Sequence, residues 1–470
     1  MYMVEGLIFI KEMEELYMKH APVKSKLTEE LEQMDVQHYL HPTSIPGQVP
    51  KMVFESGNGI HVRNTEGESF IDGISMLWNV NLGHGNKELG KAAQSQMEKI
   101  AFASSFAGYS NEPAIRLTKK LADWSPDGLN TAFYTSGGSE SNDTAFKLAR
   151  LYYQIKDQPK KTKFISFVNG YHGVTIGAGT ATKIAGFHRF AGTEMVDVLH
   201  ATPHLTECEK GERAHPDFEK SARHLIETEG AETIAGLIIE PIQGSGGVYM
   251  PPEGYMKALR DLCDEFDILL IADEVINGFC RTGEKFAVDH WNVVPDLMSL
   301  AKGITSGYAQ LGAVMIHDNV KEVINTFGNV MAHGFTYSGH PMACAVGIRN
   351  MEIMEEMNLV KHVKAMEKVL NDGLAYLNDK HETVGLCRNK GLMGAFELFE
   401  NSASGKRFAD EKKAGLQYVE DCFQHHLILR ALGMADGKSI IALAPPLVIS
   451  KSEVESMVAI MDDALTNFSV

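Results

Sequence analysis

Cysteine is scarce and scattered in this chain of 470 residues. The six cysteines, Cys208, Cys263, Cys280, Cys344, Cys387 and Cys422, form no Cys-x-x-Cys pair, so neither a zinc site nor a disulfide framework is indicated. Such spacing suits a reducing compartment, and a cytoplasmic protein is expected. Long apolar runs are missing as well: the Ile-Leu-Leu-Ile-Ala stretch at 268–272 is far short of the roughly 20 residues that cross a bilayer. The apolar run after Gly6 is only four residues long, has no basic flank before it and has acidic residues after it, which does not read as a signal peptide. Positive charge is also in short supply, with 44 Lys and Arg against 61 Asp and Glu, a net charge of −17. That surplus of carboxylates repels nucleic acid and anionic membrane faces, and leaves small molecules as the expected partners.

What the chain does contain is ordinary globular material, 44% hydrophobic and 22% charged, long enough to fill two or three cores. Between about residues 130 and 320, short apolar or β-branched runs alternate with longer helix-like segments. The alternation predicts an α/β fold with a mostly parallel sheet covered by helices. Strands are predicted at 131–134, 163–167, 235–239, 268–272, 298–301 and 313–316. Each stops where polar residues or glycines begin, and ligands of open α/β sheets bind beyond the carboxyl ends of the strands. From about 345 the texture changes to amphipathic helix and then to strand-like pieces near 394–398 and 440–443, which predicts a second, α+β domain. The charged stretch 207–220 reads as a solvated loop, and no repeat or low-complexity tract is present.

Three segments carry chemistry. In TAFYTSGGSESNDTAFKLAR, a strand ending at Tyr134 passes through a Ser-Gly-Gly-Ser turn into helix-forming residues, with Ser139 read as the N-cap. Glycines let backbone approach a ligand, and the free N–H groups of a helix start favour an anion such as phosphate; an ordinary strand-to-helix turn looks the same. In IADEVINGFCRTG, an apolar strand delivers Asp273 and Glu274 to its carboxyl end. A carboxylate there needs a cation, such as the protonated ring nitrogen of a cofactor, or else caps the next turn. In PDLMSLAKGITSGYAQLGAV, Lys302 follows another apolar strand and precedes Gly303. Partial desolvation at such a position lowers a lysine's pKa and frees its amine for a Schiff base, although most lysines are surface charge. Together these supply a phosphate cradle, a carboxylate for a ring nitrogen and a reactive amine, the set that pyridoxal 5'-phosphate needs.

Over nearly its whole length the chain resembles the class III pyridoxal-phosphate-dependent aminotransferases, of fold type I. Ser139-Glu140-Ser141-Asn142, preceded by Gly138, is similar to the family's Ser-Glu-Ala-Asn phosphate motif and implies that Gly138 and Ser139 hold the phosphate through backbone N–H groups. Gly137 stands where many relatives carry serine. Tyr171-His172-Gly173 is similar to the family's Tyr-His-Gly motif and implies that Tyr171 stacks on the cofactor ring. Glu240-Pro241 with the following Gly-Ser-Gly-Gly, Asp273-Glu274-Val275 and Lys302-Gly303 resemble three further motifs. They imply that Glu240 is a cofactor-binding residue, that Asp273 pairs with the ring nitrogen and that Val275 packs on the ring face opposite Tyr171. Lys302 is implied as the Schiff-base lysine and general base. The stretch from His333 to Pro341 resembles one whose threonine reaches across a dimer interface, so Thr336 is expected at the neighbouring subunit's phosphate. A homodimer or dimer of dimers with active sites at the interface follows. The resemblance further implies an N-terminal segment, 1–75, contributing to the small domain, a large cofactor-binding domain over 76–344 and a small α+β domain over 345–470.

Within the family, HYLHPTS, FIDGISMLWNVNLGHG and HGFTYSGHP look most like the ω-amino acid:pyruvate transaminase branch. Trp78 is implied as a wall of the substrate pocket, the alternative being a half-buried aromatic on a strand edge. Arg430, in LILRALG, stands where this branch carries an arginine that binds a substrate carboxylate and swings away for an amine. A planar guanidinium suits that task, while a surface ion pair is the commoner fate of arginine. The loop after it, ALGMADGKSII, looks longer than usual for the branch, and Ala107 and Tyr109 replace a phenylalanine and an arginine common in ω-transaminases. Arg388 matches a family arginine and reads equally as packing or as binding. The implied reaction moves an amino group from an ω-amino acid or amine, such as taurine, β-alanine or a diamine, to a keto acid such as pyruvate, with ping-pong kinetics. A racemase or epimerase, a decarboxylase or an aminomutase on the same scaffold stays open, as does a catalytically silent binding protein.

Overall fold

The computed structural model describes residues 24–188, 197–202, 218–433 and 437–469. The N-terminal stretch with its short apolar run, most of the charged stretch 207–220 with Cys208, and residues 434–436 of the loop after Arg430 lie outside the described residues. Among the described residues, no helix is long and apolar enough to cross a membrane.

The strands, in chain order, are β1 (Phe54–Asn58), β2 (His61–Asn64), β3 (Ser69–Asp72), β4 (Leu129–Thr135), β5 (Lys163–Phe167), β6 (Val198–Ala201), β7 (Ile234–Ile239), β8 (Leu269–Asp273), β9 (Leu297–Leu300), β10 (Gly312–His317), β11 (Val384–Lys390), β12 (Met393–Leu398), β13 (Leu427–Ile428), β14 (Arg430–Leu432) and β15 (Ile440–Leu443). Seven of them build the central sheet in the order β4-β10-β9-β8-β7-β5-β6. β5 to β9 are parallel, and β10 runs against both β4 and β9. The stretch from Leu300 to Gly312 is too short for a crossover helix, which is why the chain returns antiparallel there. Every residue of β7 and β8 is buried, as a sheet covered on both faces requires.

The pleat sorts alternate residues to two helical layers. Phe164, Ile238, Ile271 and Val314 face the helix Gly138–Ile155 through Ala145, Phe146, Leu148 and Ala149. Ile165, Leu237 and Leu270 face the helix Tyr255–Glu265 through Met256, Leu259 and Leu262. A second sheet, β1-β2-β3-β13, joins the two ends of the chain, since β13 pairs parallel with β3. A third, β11-β12-β15-β14, packs beneath the helices Leu359–Lys380 and Lys451–Thr466. The latter helix opens with a capping box in which Ser450 and Glu453 each accept the other's backbone N–H, fixing where it starts.

Candidate active site

Four neighbouring parallel strands deliver functional side chains to one edge of the central sheet. Asp273 is the last residue of β8, Glu240 follows β7, Lys302 lies two residues beyond β9 and Tyr171 four beyond β5. Parallel strands end on the same side, so residues far apart in sequence converge without any long-range sequence signal.

Asp273 is buried, and its carboxylate is held by three hydrogen bonds. Oδ2 accepts from Asn142 Nδ2 at 2.8 Å and from His172 Nδ1 at 2.9 Å, and Oδ1 accepts the N–H of Val275 at 3.1 Å. A carboxylate offers about four lone-pair sites, which leaves room for one more donor. Glu240 is also buried and ties two loops together, accepting from the N–H of Tyr171 and of Gly244, both at 2.9 Å. Burial pushes its carboxyl up to about 7, with nearby Asp273 adding to the rise, against the pull of His172 and the two N–H groups.

Lys302 is half-buried and takes a left-handed backbone, φ +47°, at the head of the short helical turn Lys302–Ile304. Burial lowers its amine to about 8; Asp273 and Glu240 oppose that fall and Arg430 adds to it. Among the described residues its amine has no hydrogen-bond or ion-pair partner. Arg430 stands on β14, half-buried and likewise without a carboxylate partner among the described residues. Burial lowers its guanidinium below the usual range, and the nearby Tyr171 phenol opposes that fall.

The helix Gly138–Ile155 starts directly beyond β4, and its first internal bond runs from Ser141 N–H to the Gly137 carbonyl. The N–H groups of Gly138, Ser139 and Glu140 precede that bond, at the positive end of the helix dipole. A Cβ on Gly138 would come within 2.9 Å of Val275 Cγ1, so the backbone here lies bare against Val275. Ser139 Oγ accepts the N–H of Val174 at 3.1 Å, and the left-handed Gly173, φ +123°, has no space for a side chain beside Ser139.

The family profile described as aminotransferase class-III matches residues 43–465. The chain belongs to the class III aminotransferases. It is 35% identical over 450 residues to the putrescine–pyruvate aminotransferase of Pseudomonas aeruginosa, covering 94% of this chain and 97% of that one. To the diaminobutyrate–2-oxoglutarate transaminase of Halomonas elongata it is 34% identical, covering 88% and 90%. A transaminase from the marine bacterium Virgibacillus superposes with a TM-score of 0.89 at 42% identity, covering 93% and 98%. The fold is therefore fold type I, as the sequence motifs imply, and the protein is a pyridoxal-phosphate-dependent aminotransferase.

The strand-end residues of this class III enzyme fit that cofactor. A bare helix N-terminus suits a phosphate, the spare lone pair of Asp273 suits a protonated ring nitrogen, and the unpartnered low-pKa amine of Lys302 suits a carbonyl carbon. Tyr171, half-buried, meets Phe187 edge-on at a ring separation of 5.3 Å. The remaining candidates are spread more widely. Thr336 is exposed, on the stretch that His333 anchors to the central-sheet helix through Thr144, at 2.9 Å. Trp78 ends the short helical turn Ser75–Trp78, is 2% exposed and packs with Ile242 and Ile276, which lie just past Glu240 and Val275. It is thus neither half-buried nor on a strand edge.

Arg388 is used up by packing. It donates to the carbonyls of Gly247, Val248 and Leu386, pairs with Glu397 at 3.1 Å and lies over the Tyr249 ring. Asn142 and His172, the partners of Asp273, stand inside quoted motifs, yet nothing local marks them: they lie 131 and 101 residues from the carboxylate they hold. The one usable hint is their polarity at positions that the helix and strand patterns bury.

Proposed function

We propose that the enzyme moves the amino group of an ω-amino acid or simple amine to a keto acid such as pyruvate, with Lys302 carrying the cofactor. The observation that carries this reading is the convergence of an unpartnered, low-pKa amine on Asp273 and on an equally unpartnered arginine, Arg430. When bound, pyridoxal phosphate supplies an electron-withdrawing ring that makes the donor's Cα proton acidic. Asp273 would hold the proton on the ring nitrogen, its carboxylate kept in place by Asn142 and His172. Tyr171 and Val275 would pack against the cofactor ring, and Glu240 fixes the Tyr171 loop by accepting the Tyr171 N–H. Gly138 and Ser139 would bind the phosphate through backbone N–H groups, and Thr336 of a second subunit would complete the cradle in a homodimer or dimer of dimers.

Lys302 acts as the general base. With its pKa near 8, a useful fraction is neutral at physiological pH, and the same amine can return the proton it removes. Arg430 takes the carboxylate of the keto acid, for which its free planar fork is suited. Relatives that bear the names of diamine substrates support an amine with its amino group on a terminal carbon as donor. The cysteine usage supports a cytoplasmic site of action.

An absorbance titration tests the reading. The cofactor band of the purified enzyme is expected to bleach on adding β-alanine, taurine or a diamine and to return on adding pyruvate. A band that persists while an amino acid loses its chirality or carbon dioxide would assign the chain a different reaction.

A further inference from the structure

Three of the four residues 75–78 have left-handed backbone: Ser75 at φ +49°, Met76 at +56° and Trp78 at +62°. None is glycine, and side chains disfavour this conformation, so the surroundings have to impose it. Two buried charged groups do. Asp72 is wholly buried; both carboxylate oxygens accept the N–H of Met76 at 2.9 Å, and it also accepts from the N–H of Ile74 at 3.2 Å and from His84 Nε2 at 2.9 Å. Arg281, equally buried, donates from Nη2 to Ser75 Oγ at 3.0 Å and to Asn81 Oδ1 at 2.9 Å. Its Nη1 donates to the carbonyls of Leu392 at 3.0 Å and Pro445 at 2.6 Å. Ser75 in turn donates its hydroxyl proton to the Ala444 carbonyl at 2.7 Å.

Arg281 sits on the segment that leaves Asp273–Val275, so one side chain links the exit of the cofactor strand to the turn that carries Trp78. Trp78 packs against Ile242 and Ile276, which follow Glu240 and Val275, and its buried indole N–H has no acceptor among the described residues. A bulky side chain thus shares a core with residues of both cofactor-side loops, on a turn that Asp72 and Arg281 brace in addition to its own backbone hydrogen bonds. We infer that Asp72 and Arg281 are positioning residues for substrate selection, holding the 75–78 turn left-handed so that Trp78 sets the width of the amine pocket. The inference rests on the reading of Trp78 as a pocket wall, and it adds two residues that touch no substrate themselves.

The test compares kcat/KM for β-alanine with kcat/KM for an aryl-alkyl amine in the holoenzyme, together with Tm. Asp72→Asn keeps the size of the side chain but loses its charge and one acceptor. It is expected to shift the ratio of the two values about tenfold, the scale on which pocket contacts discriminate, through KM more than kcat and in the same direction as Trp78→Ala. Met76→Gly supplies a residue that accepts φ +56°, so alone it leaves Tm unchanged or higher, and added to Asp72→Asn it brings the ratio back toward wild type. An Asp72→Asn enzyme that loses Tm and cofactor while its ratio stays at the wild-type value would reduce Asp72 to a structural role and overturn the inference. Should Asp72→Asn fail to fold, Met76→Gly alone decides, because a fall in its Tm would contradict the imposed left-handed turn. An unaltered ratio in Trp78→Ala would instead remove Trp78 from the pocket, a failure of the underlying reading that the Asp72 variant does not mimic.

Discussion

Buried charges serve opposite ends in two regions of this molecule. At the carboxyl edge of the central sheet, Lys302 and Arg430 are desolvated yet unpartnered among the described residues, and Asp273 keeps a lone pair in hand. In the seam between the central sheet and the β11-β12-β15-β14 sheet, Arg388, and Arg281 through both of its Nη groups, donate to backbone carbonyls and neighbouring side chains. Removing a charge from water costs free energy wherever it happens. Where the fold repays that cost the residue is architecture, and where it does not, the cost is left for a ligand to repay.

The sharpest way to break this contrast is at Lys302. Lys302→Ala is expected to lower transamination by more than about a thousandfold, within the range set by losing a general acid–base group, while far-ultraviolet circular dichroism stays that of the wild type. A variant that unfolds instead would place Lys302 with the architectural charges. At the seam, Arg388→Met leaves Glu397, wholly buried, with Arg407 and Tyr249 as its remaining partners. Stability should fall by about 3 kcal/mol, the low end for breaking a buried pair, as read by urea unfolding, while KM for pyruvate stays near wild type. Arg430→Ala should do the reverse, raising KM for pyruvate roughly thirtyfold, about 2 kcal/mol for one charged hydrogen-bonded contact, with little change in urea midpoint. A large loss of stability there, with KM intact, would erase the difference between the two arginines.

Much of the strand-end region is legible in the sequence. Lys302, Asp273 and Glu240 each follow a short apolar run and are followed by glycine, proline or a second acid, and such junctions mark strand ends whatever the rest of the fold does. Predicted strand 163–167 coincides with β5, and the others differ from the observed strands by one or two residues at an end. β6 escapes because Val-Leu-His-Ala is short, has a polar residue within it and lies at the sheet edge, where burial imposes little pattern. The reversed direction of β10 escapes because an apolar run carries no arrow. The seam is the less legible region: Arg281 reaches Ser75 across 206 residues and Arg388 reaches Gly247 across 141, so two readings of Arg388 remain open until the fold closes one of them. The left-handed, non-glycine turn 75–78 is hard to read locally, because although Asp72 is close by, the other group that holds it, Arg281, lies 206 residues from Ser75.

Glu274 offers the finest comparison, since it adjoins Asp273 yet faces the other way. Its Oε1 accepts the N–H of Val288 at 2.8 Å, its Oε2 is buried without a partner among the described residues, and burial pushes the carboxyl up to about 8. Asp273 by contrast meets three donors. A folded pKa near 8 against an unfolded value near 4.3 means that the native state keeps a proton which the unfolded chain releases. The stability contributed by protonated Glu274 is complete below the unfolded value and drains away as pH rises towards 8. Glu274→Gln imitates the protonated acid and does not titrate. The Tm of wild type relative to Glu274→Gln should therefore fall steadily between about pH 5 and pH 8, a small difference at the acid end that widens with pH. A difference that stays level over this window would mean that Glu274 is ionised in the fold, and that its charge belongs with the unpaid ones at the sheet edge.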